Sequence, residues 1–178
     1  EIGVASSKVY DFIWDTYCDW YIELTKTRMN GDDAQRKVAA ENVLCYVLNE
    51  VLKLLHPFMP FLTEEIWQAL PRRADDAGET DFLMTSRWPE YREELNFPAE
   101  TEAMESVMDT IRAIRARRAE MNVPPSKKAE VILKTDEPET YQQAAHFITR
   151  LAYASGVTVA GQAPAELDGM VSIVTRKA

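Results

Sequence analysis

From Ser6 to Thr27 the chain contains neither proline nor glycine, and its apolar residues return at helical spacing. Val9, Ile13, Tyr17, Trp20 and Leu24 share one face, with Tyr10, Trp14, Cys18 and Tyr21 on the row beside it. An apolar arc that broad has to be covered on two sides, which predicts a helix inside a bundle. The remaining arc carries Asp11, Asp15, Asp19 and Glu23, each four residues after the last. Like charges so placed repel by a few tenths of a kcal/mol per pair on an isolated helix. They read either as a solvated face or as partners for arginines elsewhere.

Asn30 to Asp33, "NGDD", reads as a turn leading into a helix N-cap. The helix that follows extends to about Leu55, with Val43, Val47, Val51 and Leu54 on one row and Leu44, Leu48, Leu52 and Leu55 on the next. A connection this short makes the two helices antiparallel. Pro57 and Pro60 then force a turn, because proline lacks an amide proton and biases its predecessor away from helix. Thr63 is the expected cap of the next helix, with Glu64 and Glu65 in its first turn and Leu62 and Trp67 as a hydrophobic staple. His56 is expected to pack or cap rather than to catalyse.

Residues 71–98 are rich in breakers and charges and read as an ordered excursion, with Trp88 folding back onto the bundle. Helical spacing resumes from about Ala99 to Met121, burying Met104, Val107, Met108, Ile111 and Ile114. After Pro124 and Pro125 the character changes. "AEVILK" at 129–134 is strand-like, 138–154 is an amphipathic helix through Tyr141, Ala145, Ile148 and Ala152, and "VTVA" and "MVSIV" are short strand candidates. The predicted fold is mainly α: an antiparallel helical bundle over residues 1–123, then a small α+β module with a short sheet over 124–178.

At 178 residues, 46% hydrophobic and 28% charged, the chain can bury a core, which disordered sequences cannot. No apolar run approaches the ~20 residues that span a bilayer, and no leader is visible, so neither a membrane nor an exported protein is expected. The two cysteines, Cys18 and Cys45, lie in no zinc or disulfide pattern and suit a reducing cytosol. The opening without methionine and the stop at Arg-Lys-Ala suggest a piece of a longer chain.

No nucleotide-binding loop, nucleophile elbow or metal-binding histidine pair occurs, so no catalytic residue, cofactor site or metal site is expected. Charge is the more informative signal. Residues 1–100 carry 10 basic and 19 acidic side chains, whereas 101–178 carry 10 of each. Positive charge gathers in "RARRAEMNVPPSKK", Arg115 to Lys128, with Arg112 one turn earlier. On a helical wheel Arg115 and Arg118 continue the buried stripe of Val107, Ile111 and Ile114, while Arg112 and Arg117 point elsewhere. A guanidinium is costly to bury unpaired, so either the helix leaves the core near Ile114 or these two arginines meet acids. The rigid "NVPPSKK" turn offers Ser126, Lys127 and Lys128 to phosphate at low entropic cost. Arg112, Arg115, Arg117, Arg118, Lys127 and Lys128 are therefore candidate RNA contacts, and a solvated charge cluster is the alternative.

Three stretches, "YDFIWDTYCDWYIELTK", "LLHPFMPFLTEEIWQ" and "RARRAEMNVPPSKKAEVIL", together resemble the C-terminal region of bacterial valyl-tRNA synthetases, from Tyr10 to about Val174. The middle stretch is similar across the isoleucine, leucine and valine enzymes; "WYIE" with "NVPPSKK" narrows the resemblance to valine. It implies an anticodon-binding bundle, with further helices upstream and a coiled-coil arm downstream. It also implies a partner tRNA(Val), and ATP and Mg used by a catalytic domain elsewhere in the same cytoplasmic polypeptide, with no cofactor in this stretch and no DNA or membrane partner. An isoleucyl or leucyl counterpart, or a bracing module of the parent enzyme, are the alternatives.

Overall fold

One helical rod opens the chain. It is α-helical over Ile2–Asp11 (α1), π-helical over Phe12–Ile22 and α-helical again over Glu23–Met29 (α2), with helical backbone angles at both junctions. The computed structural model describes residues 1–71, 82–160 and 170–175. The other helices are α3 (Ala34–Leu55), α4 (Pro60–Ala69), α5 (Pro98–Glu120) and α6 (Pro138–Leu151), with strands β1 (Ala129–Lys134) and β2 (Ala154–Ala160). Packing divides them into two compact units, Glu1–Tyr91 and Arg92–Ala178. This division falls earlier than residue 123, because α5 packs on α6 in the second unit.

In the first unit the turn at Asn30 to Asp33 forms as expected. Asp33 caps α3, its Oδ1 accepting from the amides of Gln35 at 3.0 Å and Arg36 at 3.1 Å, an arrangement that stabilises a helix by about 1 kcal/mol. α3 packs along both α1 and α2. Tyr17, Trp20 and Leu24 are buried, and the Tyr17 hydroxyl donates to the Leu44 carbonyl at 3.0 Å. The row beside them departs from expectation. Tyr10 and Trp14 stay 57% and 52% exposed, their rings leaning together at 6.2 Å, so the rod is not enclosed on two sides along its first half.

The second proline turn corrects another expectation. α4 starts at Pro60, three residues before Thr63, because proline at the first helical position gives up an amide that would have no partner there anyway. Thr63 therefore lies inside the helix and is buried, and Leu62 and Trp67, both within α4, do not stand at the staple positions of its start. The Thr63 hydroxyl donates to the Met59 carbonyl at 2.9 Å and meets His56 Nδ1 at 2.7 Å. Glu64 accepts from the Leu83 amide at 3.0 Å, seating Leu83 against Leu52 and Trp67 in the core. Within the excursion, Leu83–Thr85 and Glu93–Leu95 form single 3-10 turns. Residues 72–81 lie outside the described residues. Leu83, not Trp88, is the anchor: Trp88 remains 60% exposed.

In the second unit β1 and β2 pair in parallel, from Ala129 opposite Ala154 to Lys134 opposite Ala160, with an irregularity after Ala129. Parallel neighbours need a crossover, which α6 supplies. Val107, Ile111 and Ile114 of α5 are buried as expected, as are Tyr141, Ile148 and Ala152; Phe147 is buried too, whereas Met104, Met108 and Ala145 are only partly buried. Tyr141 is fully buried, its hydroxyl 3.3 Å from Thr110 Oγ1. Met170 to Val174 form no strand; Val174 is almost fully exposed, so the apolar alternation there finds no ladder.

Burial pushes the Tyr17 phenol from 10.0 up to about 12, and Cys45, Cys18 and Tyr21 add to the shift. Below pH 10 folded and unfolded chains both keep this proton. Between pH 10 and 12 only the unfolded chain releases it, so the stability tied to Tyr17 falls as pH rises through that window. Urea unfolding of the wild type and of Tyr17→Phe across pH 8 to 12 should show a shallower alkaline loss in the variant. Equal slopes would sink this assignment. At pH 8 the variant should be less stable by about 1 kcal/mol, for the lost bond to Leu44.

Candidate nucleic-acid interface

The basic stretch is organised by the end of a helix. The last carbonyls of an α-helix have no amide partner, and α5 meets this with a left-handed residue. Asn122, at φ 52°, turns the chain back so that its amide reaches the Ala119 carbonyl at 3.0 Å and the Val123 amide reaches that of Arg118 at 2.9 Å. This is the Schellman arrangement, and asparagine is one of the few residues besides glycine that accept it readily. Pro124 and Pro125 follow, and the Lys127 amide closes a turn onto the Pro124 carbonyl at 3.0 Å.

Arg118 holds that turn. Its Nη2 donates to the Pro124 carbonyl at 3.0 Å and also to the Lys127 carbonyl, bracketing both ends. Arg115 acts similarly at the end of α6. Its Nε donates to the Leu151 carbonyl at 2.6 Å, and its guanidinium lies 5.8 Å from the ring centre of Tyr153, itself left-handed at φ 55°. A cation at a helix C-terminus also offsets the negative end of the macrodipole. The sequence alternatives were burial against acids or emergence from the core. The helix leaves the core after Ile114: Arg115 is exposed and Arg118 half-buried, and both bond to main-chain carbonyls.

Arg112 pairs with Asp109 at 3.0 Å and Arg117 with Glu120 at 2.9 Å, both across one helical turn and about half exposed. Such surface pairs contribute little, typically 0–1 kcal/mol. Lys127 and Lys128 are exposed, and among the described residues neither ammonium has a partner. The acids of the first rod differ from one another. Asp11, Asp15 and Asp19 are exposed, whereas Glu23 bonds Lys26.

The sequence matches the family model described as the anticodon-binding domain of tRNA ligase over residues 1–133. The chain belongs to this family. The matched span takes in all of the first unit, α5, the Asn122 turn and most of β1. The chain is also 44% identical over its whole length to the valine–tRNA ligase of Clostridium acetobutylicum, and covers 20% of that protein. Its identity to the valine–tRNA ligase of Clostridium tetani is 41%, with 100% of the chain and 20% of the relative covered. For the Staphylococcus carnosus enzyme the figures are 40%, 98% and 20%. This anticodon-binding domain thus spans about a fifth of the length of the curated relatives it matches, in the C-terminal region that the three quoted stretches pointed to.

The geometry separates arginines that hold the backbone from those that face solvent. Arg118→Ala should lower the unfolding free energy by about 1–2 kcal/mol and speed exchange of the Lys127 amide. Arg112→Ala and Arg117→Ala should each cost less than about 0.5 kcal/mol. Urea unfolding combined with amide exchange checks this, and equal losses for all three would contradict the assignment.

Proposed function

We propose that this chain is the tRNA-positioning part of a valine–tRNA ligase, in which a catalytic domain elsewhere in the polypeptide uses ATP and Mg to charge tRNA(Val) in the cytoplasm. The single observation that carries the contact surface is the rigid turn after Asn122, which presents Lys127 and Lys128 with no partner among the described residues. Residues 1–123 would receive the anticodon stem and loop, and 124–178 would form the module leading away from them.

The six basic residues then divide by role. Lys127 and Lys128 contact phosphate directly. Arg112 and Arg117, half exposed in weak pairs, can exchange a carboxylate for a phosphate at small cost. Arg115 and Arg118 position the turn and the end of α6, which supports a bracing role for these two. Phosphate contacts fix register and carry no sequence information, so base reading falls to other side chains.

The test is a salt titration of tRNA(Val) binding to the intact ligase and to its Lys127→Glu/Lys128→Glu variant. Each phosphate contact contributes roughly 0.7 to 0.9 to the slope of log affinity against log salt, so the variant should lose about 1.5. An unchanged slope would remove the lysines from the interface. The 178-residue chain alone should show no valine-dependent ATP–pyrophosphate exchange; exchange above background would place catalytic groups within it.

A further inference from the structure

We propose that the apolar corner between α3 and α4, formed by Phe58, Met59, Phe61 and Leu62, is the seat on which the catalytic domain of the same polypeptide docks. The inference rests on the ligase reading above for the existence of that domain. Single exposed apolar residues are ordinary on a protein surface. Here four fall within five positions, exposed by 41%, 43%, 90% and 50% in chain order, with Phe61 almost wholly in solvent.

The corner is built to hold one shape. Pro57 and Pro60 restrict its backbone, and the amides of Phe58 and Met59 both close onto the Leu55 carbonyl, at 2.9 and 3.1 Å. Beneath it the buried Thr63 hydroxyl ties the Met59 carbonyl to the His56 ring. A surface fixed in advance loses little conformational entropy on docking, which favours a permanent partner.

Its chemistry selects among occupants. The charged residues nearest in sequence are Glu64 and Glu65, whose carboxylates repel a phosphate backbone, so RNA is disfavoured. A second copy would have to associate from solution. The relatives are about five times as long as this chain, which covers 20% of them, so far more protein is tethered to the corner than is present in it. Tethering raises the effective concentration of a linked surface to the millimolar range, above that of a free copy in most solutions.

The experiment uses the intact ligase with p-benzoylphenylalanine in place of Phe61, irradiated without tRNA, digested and analysed by mass spectrometry. The expected product joins position 61 to a catalytic-domain peptide, within one molecule when isotopically light and heavy protein are mixed. Cross-links to residues 92–178, to a second copy, or only to added tRNA would overturn the proposal, and so would their absence. In the unsubstituted ligase, peroxide should oxidise Met59 severalfold more slowly than Met84, which is 73% exposed; equal rates would also overturn it. Because the cross-link is read without tRNA, failure of Lys127 and Lys128 as phosphate contacts leaves it untouched. A missing cross-link with an intact lysine salt slope sinks the docking proposal alone.

Discussion

A helix that stops leaves carbonyls pointing along its axis with no amide to meet them, and each must find a donor or remain in water. In the second unit that requirement governs the arrangement of the basic stretch. Asn122 takes a left-handed conformation so that two amides can turn back on α5. Arg118 supplies the donors that the prolines withhold, and Arg115 performs the same service for Leu151 at the end of α6. Proline drives this division. Pro124 and Pro125 stiffen the turn and carry no backbone protons, and Arg118 adds side-chain donors to its carbonyls.

The same exchange occurs at α4 with different chemistry. Pro60 opens the helix without an amide, and the side chains of Thr63 and His56 tie the turn together. In both places a rigid proline corner is fastened from within by a buried or half-buried polar side chain. The outer surface of each corner is thereby left free for contact, cationic at Lys127 and Lys128, apolar at Phe58 and Phe61. Rigid and differently coated, the two corners suit partners of different chemistry.

Much of this was legible in the sequence because the signals are local. The apolar periods gave α3, α5 and α6 to within a few residues, and "NGDD" located the cap at Asp33. Where two local signals competed, the stronger was not apparent: Pro60 and Thr63 both mark helix starts, and the earlier one prevailed. Asn122 carried a usable signal, an asparagine directly after the last helical residue and just before two prolines. The bond from Glu64 to the Leu83 amide spans nineteen positions and has no periodic signature, so only tertiary structure reveals it. Trp88 failed as an anchor for the same reason, since a large aromatic in a charged loop states its size but not its neighbours.

The division of the arginines follows from geometry rather than charge. Six cations in seventeen positions look like one electrostatic patch, and composition treats them alike. A guanidinium bonded to main-chain carbonyls already serves the fold, and turning it to a phosphate gives up those bonds and leaves their acceptors to water. Arg118 would give up two bonds, to the Pro124 and Lys127 carbonyls, whereas Lys127 and Lys128 would leave no partner among the described residues. The cost of recruiting each side chain for RNA is therefore set by what it already holds. On that measure the lysines come first, the surface-paired Arg112 and Arg117 next, and Arg115 and Arg118 last.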